Sequence, residues 1–150
     1  MTDRLLLDAM LGKLATYLRM CGYDTAYALE EGVEDDEAVL GLTEREGRRL
    51  VTRDESLAAR AGDAVLLSSR DVEDQLRELR AVGFDLSLAD EPGRCGACNG
   101  PLAEVAETEP TPEYAPDPAQ TRIWRCTDCG QHFWKGSHWA DVAATLDRLE

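Results

Sequence analysis

The sequence predicts an α/β protein: a mostly parallel sheet flanked by helices, with a small metal-stapled unit behind it. Three observations carry this expectation. Residues 1–90 alternate short apolar runs with amphipathic stretches, the pattern of strand–helix–strand units in a parallel sheet. Near residue 90 the texture shifts to glycine, proline and acid. Beyond it lie two C-x-x-C pairs, Cys95/Cys98 and Cys126/Cys129, a spacing that in a cytosolic chain points to metal rather than disulfides.

Each element follows from its local pattern. RLLLD at 4–8 is an apolar strand that ends on an acid. In 11–22, Leu11, Leu14, Ala15, Leu18 and Cys21 share one helical face, and Gly22 stops the helix. DTAYAL at 24–29 reads as a second strand. The stretch 35–47 is a helix with acids in its first turn, where the dipole favours them, and with Val39, Leu40 and Thr43 inward. RLVT at 49–52 is a third strand, 55–62 a short helix and AVLL at 64–67 a fourth strand. The helix at 71–83 places Val72, Leu76, Leu79 and Val82 on one side. The segment 104–120 holds four of the six prolines and many acids, which predicts an extended, poorly ordered loop. TRIWRC and QHFWKG read as short strands around the second pair, and 137–150 as a closing helix capped by Ser137. Its buried face is Trp139, Val142, Ala143 and Leu146. The expected units are therefore 1–90 and 91–150.

Bulk properties narrow the class. A hydrophobic fraction of 43% supports a folded core. No apolar run approaches the roughly 20 residues that span a membrane, and the N-terminal stretch meets Asp8 too soon for a signal peptide. A cytoplasmic protein with no membrane partner is expected. The formal charge is −14, from 30 acids against 16 bases, and only Lys13 and Lys135 are lysines. That argues against a nonspecific nucleic-acid coat, which needs basic patches. It fits a halophilic cytosol, where the Debye length falls to about 3 Å at 1 M salt.

The four paired cysteines have the form of a structural zinc site, closed by four thiolates and without an open position for catalysis. Iron is the rival occupant. The 27-residue gap between the pairs exceeds the usual span of about fifteen to twenty, an excess the proline-rich insertion accounts for at small entropic cost. His132 and His138 are surplus to coordination and serve either packing or RNA contact. Cys21 reads as a core residue.

Asp8 and Asp54 each follow an apolar strand. In a parallel sheet the carboxyl ends of strands face the ligand crevice, so both acids belong on one rim, and Asp35 or Asp36 completes a set. Clustered carboxylates need a hard cation, Mg2+ or Mn2+, whose chemistry is phosphodiester hydrolysis. The competing reading makes each acid a helix cap. Other classes fail on their motifs. Asp8 is followed by Ala9-Met10, without the second acid a haloacid-dehalogenase phosphatase requires. G-x-x-x-x-G-K-[ST] and G-x-S-x-G are both absent.

Together, LLLDAMLGKLATYLRMCGYDT, DDEAVLGLTEREGRRLVTRDESL, RCGACNGPL and RCTDCGQHFWKGSHW resemble the Mut-seven C-terminal RNase-domain family. The resemblance implies a PIN-like three-layer α/β/α domain with a C-terminal zinc ribbon. It implies an Mg/Mn-dependent endoribonuclease with RNA as substrate and metal ligands at Asp8, Asp36 and Asp54. The register also admits Asp35, and Asp71 is the nearest candidate for a fourth acid. Lys13, near Asp8, is expected to steady a phosphate. Arg19, Arg53, Trp134, Lys135 and His138 are expected to face RNA, and the ribbon to position RNA or a protein partner. The alternative is a noncatalytic RNA-binding or adaptor protein with a structural zinc ribbon.

Overall fold

A computed structural model describes residues 4–88 and 91–149; the boundary expected at residue 90 falls outside them. The elements run β1 (Arg4–Leu7), α1 (Gly12–Met20), β2 (Asp24–Tyr27), α2 (Asp36–Glu46), β3 (Arg49–Thr52), α3 (Glu55–Ala61), β4 (Val65–Leu66), α4 (Val72–Ala81), β5 (Leu102–Glu104), β6 (Trp124–Cys126), β7 (His132–Phe133) and α5 (Ser137–Asp147). The first four strands form a parallel sheet in the order β2-β1-β3-β4, and the last three an antiparallel sheet β5-β6-β7.

Alternation along β1 builds three layers. Leu5 and Leu7 point into one core with Leu14 and Leu18 of α1, Leu76 and Leu79 of α4, and Val142 and Leu146 of α5. Leu6 points the other way, with Leu50 of β3, Val39 and Leu42 of α2, and Leu57 of α3. A strand buried on both faces reads as an unbroken apolar run, and LLL is that run. The expected α/β/α layering with a parallel sheet is the one found. Its last helix, α5, belongs to the first core although the ribbon lies between them in sequence.

Several local expectations change. Leu42, not Thr43, is buried on α2, while the Thr43 hydroxyl donates to Leu40 O at 2.6 Å. Val82 is 56% exposed, because α4 ends at Ala81 and turns away. Gly136, not Ser137, occupies the N-cap of α5, and no side chain caps that helix. The 104–120 segment is not loose. Its Val105 is buried, its Glu109 pairs with Arg125 at 2.8 Å, and its Tyr114 packs on the ribbon. β5, which leads into that stretch, has too short an apolar signature to be read from sequence.

Candidate active site and metal centre

The sheet order reverses direction after β1. The chain moves to one side to form β2, then back across to β3 and β4. Such a reversal opens a crevice at the carboxyl ends of the two central strands. Asp8 follows β1 directly, and Asp54 lies two residues past β3. The Asp8 N–H donates to Val51 O at 3.0 Å, so this acid is held at the end of the ladder. Its Oδ1 accepts from Ala9 N–H at 2.8 Å and its Oδ2 from the Thr52 hydroxyl at 2.7 Å. Thr52 Oγ1 in turn accepts the Asp54 N–H at 3.0 Å. A fully buried threonine thus ties the two acids together. The turn that carries Asp8 into α1 places Met10 at φ +80° and leaves it exposed, a conformation uncommon outside glycine.

Asp54 Oδ1 also accepts from Leu57 N–H at 3.1 Å and caps α3. The side chain of Asp54 thus caps α3 while its backbone N–H meets Thr52. Neither Asp8 nor Asp54 has an ion-pair partner among the described residues. Two uncompensated carboxylates offering hard oxygen donors suit Mg2+ or Mn2+. Of the next two acids, Asp35 is the N-cap of α2, its Oδ1 accepting from Ala38 N–H at 2.8 Å. Asp36 opens the helix with no hydrogen bond of its side chain to the Asp8–Thr52–Asp54 set. Asp71 caps α4 by accepting from the Glu73 and Asp74 N–H groups. Among the described residues, the cysteines are the group in which three or more side-chain ligand atoms lie within 4.8 Å of one another.

The basic candidates separate. Lys13 is exposed in the first turn of α1. Arg53 is half-buried, and its Nε is covered without a hydrogen-bond partner among the described residues. Arg19 is 2% exposed, and each of its three nitrogens is hydrogen-bonded within the protein. Its Nε donates to Thr25 O at 2.9 Å, and its two terminal nitrogens donate to Gly96 O at 3.0 Å and Glu30 Oε1 at 2.7 Å. The RNA-facing place expected for Arg19 is thus replaced by a buried brace, because the apolar face of α1 carries it under β2.

The Sγ atoms of Cys95, Cys98, Cys126 and Cys129 lie within 4.8 Å of one another. Cys95–Cys129 are 3.7 Å apart and Cys98–Cys126 3.5 Å. Tetrahedral zinc with Zn–S near 2.3 Å implies sulfurs about 3.8 Å apart, so the four can hold a zinc ion. Both knuckles repeat one geometry. Asn99 N–H donates to Cys95 O and Gly130 N–H to Cys126 O, and Asn99 and Gly130 both adopt positive φ. Gly100 is required: a Cβ there would meet Cys126 Sγ and Asp128 Oδ2, both at 2.8 Å. Burial pushes the Cys95 thiol up to about 12. At Cys126 burial also pushes upward, but the N–H groups of Cys129 and Asp128, each 3.4 Å away, help hold it down to about 7. Such N–H···S bonds favour the thiolate that zinc requires. Cys21 lies apart; burial and nearby Asp85 push its thiol up to about 12, consistent with an inert core position.

The first knuckle is bolted to the parallel sheet. Asn99 Oδ1 accepts from Thr25 N–H at 2.8 Å, and its amide donates to Asp24 Oδ1 at 2.7 Å. Asp24 also faces Arg48 at 2.9 Å, Arg4 at 3.4 Å and Arg94 at 3.6 Å. Burial raises its pKa, but the hydrogen bonds from Asn99 and Arg48 and the charges of Arg48 and Arg94 outweigh it and hold it near 2. Asp24 begins β2, so the ribbon sits toward the end of the sheet opposite Asp8 and Asp54. There Trp134 stacks on Tyr114 with centroids 6.2 Å apart, Lys135 Nζ lies 5.5 Å over the Trp139 ring, and His138 is exposed.

Thr52, Asn99 and Tyr114 went unread in the sequence. Thr52 had a signal, since it ends its strand and opens TRD, but a hydroxyl between Asp8 and the Asp54 N–H shows only once β1 and β3 pair. The compared family models include one described as the Mut7-C RNAse domain, which matches residues 3–146. No match to a curated protein or to a solved structure is significant.

Proposed function

Because the chain belongs to the Mut7-C RNAse domain family, we propose that it is a metal-dependent endoribonuclease cutting RNA at the Asp8–Thr52–Asp54 rim. The observation that supports this most is the buried Thr52 hydroxyl at the reversal of the sheet, which donates to the Asp8 carboxylate and accepts the backbone N–H of Asp54, holding two acids without ion-pair partners among the described residues at one rim. Asp8, Asp54 and Asp36 would hold Mg2+ or Mn2+, which when bound supplies an activated water and neutralises charge on the phosphodiester. Thr52 fixes the Asp8 carboxylate. Lys13 and Arg53 steady the substrate phosphate.

We assign the chemistry to residues 1–90 and the zinc-stapled ribbon to 91–150, with α5 anchoring the ribbon on the first core. The ribbon positions RNA or a protein partner. A salt-loaded cytoplasm fits the −14 charge. No helix among the described residues is long and apolar enough to cross a membrane.

The test uses zinc-loaded protein with single-stranded and structured RNA in Mn2+. Wild type cleaves and Asp8→Asn falls to background. Equal residual activity in the two overturns the assignment. Mn2+ should also raise the melting temperature of zinc-loaded wild type, as binding worth about 2.7 kcal/mol at 100 times Kd requires. A noncatalytic adaptor would show neither effect.

A further inference from the structure

A groove of about 420 Å³ opens between the ribbon, the later turns of α1 and the start of α5. That volume lies in the range of small-ligand sites. Its lining departs from the rest of the molecule. Acids make up 30 of the 150 residues, yet none lines the groove; its ionisable side chains are Arg94, His132 and His138. These include both histidines of the chain, and two of the three tryptophans, Trp134 and Trp139, stand in the same wall. In so acidic a protein, an acid-free aromatic groove suits a ligand that is anionic and flat. The α5 end adds to this. No side chain caps it, its first turn holds no acid, and Ser137, His138 and Trp139 line the groove. Backbone N–H groups at such an end attract a phosphate.

Position ties the groove to the rim. Thr16 and Met20 of α1 line it, and Lys13 is three and seven residues before them. Residues at that spacing share one helical stripe. The stripe runs from the groove back toward the turn that carries Asp8, about 4–10 Å along the helix axis.

We infer that this groove holds one nucleotide of the single-stranded RNA whose phosphodiester lies at the Asp8–Asp54 rim, with the base against Trp134 and Trp139 and the phosphate at the start of α5. This rests on the ribonuclease reading for the position of the cut, but not for the grip itself. The aromatic walls are sequence-tolerant, because every base has a π-face. The strand follows the Lys13 stripe, so the groove sets the distance from the gripped nucleotide to the cut.

The experiment uses full-length, zinc-loaded Asp8→Asn protein, which holds RNA without cutting it, and a fluorescein-labelled 12-nucleotide oligouridylate carrying 4-thiouridine. Trp139→Ala and His138→Ala are made in the same background, with zinc content and far-UV circular dichroism confirming the fold. Cross-links should map to the peptide 131–139, and Trp139→Ala should weaken binding about tenfold to a hundredfold, the range of one lost stack. Wild-type affinity in both variants, or cross-links confined to other peptides, overturns the inference while leaving Asp8-dependent cleavage untouched. Cross-linking at 131–139 in a protein that never cleaves upholds the groove and removes the ribonuclease. UMP binding in the groove with no measurable oligomer binding overturns the RNA assignment in favour of a free nucleotide.

Discussion

At Thr52 one hydroxyl serves two acids. Thr52→Val keeps the shape of β3 but leaves Asp8 Oδ2 without its donor and the Asp54 N–H without its acceptor. An unpaired buried group costs about 1–3 kcal/mol, and loss of a ligand's supporting hydrogen bond typically costs 10–100-fold in metal function. Urea denaturation should therefore show a modest loss of stability, and Mn2+-dependent cleavage a drop of about tenfold or more. Gly100→Ala acts elsewhere. Its Cβ has no room beside Cys126 Sγ, so the variant should bind zinc more weakly in a chelator competition while an isolated Mn2+ effect on the sheet persists. Asp24 gives a pH signature. Its folded pKa of about 2 lies below the ordinary aspartate value of 3.8, so its contribution is present above pH 4 and fades as pH falls toward 2. That contribution is about 1–2 kcal/mol after allowance for partial exposure. The stability gap between wild type and Asp24→Asn should narrow from pH 5 to pH 2.5; comparing the two at each pH cancels the zinc loss they share.

At the level of elements, α5 is the clearest joint between the two sheets. Leu146 is 6% exposed in the core shared with α1 and α4, so Leu146→Ala should cost about 2–5 kcal/mol and should loosen the ribbon's attachment as well as the core. The helices and strands of the first sheet were legible because apolar period states element type directly. RLVT is β3 residue for residue. What period does not state is which neighbour an element meets. Leu42 wins over Thr43 because α2 is rotated onto Leu6 and Leu50, and Arg19 is buried because β2 and the first knuckle close over it. Asp8 and Asp54 were legible as strand-end acids, and the knuckles as a spacing. The bridge between the acids, and the docking of Tyr114 on the ribbon, depend on pairings far apart in the chain that no local pattern encodes.

Across the whole molecule, the Asp8–Thr52–Asp54 rim and the four-cysteine cluster lie toward opposite ends of the parallel sheet. Chelation should expose amides of 91–136 to hydrogen exchange while the parallel sheet and α5 keep their protection; simultaneous loss in all three would mean that zinc holds the whole fold. The Asn99–Thr25–Arg19 contact then acquires another meaning. β2 is the outermost strand, and its Thr25 offers both N–H and C=O to the outside, where Asn99 takes the first and Arg19 the second. A strand left bare there would be a template for pairing with another chain. The first knuckle thus works as a plug on the sheet's open border, and stripping zinc should promote self-association through β2, visible as growing light scattering that an Asn99→Ala variant reproduces with its zinc still in place.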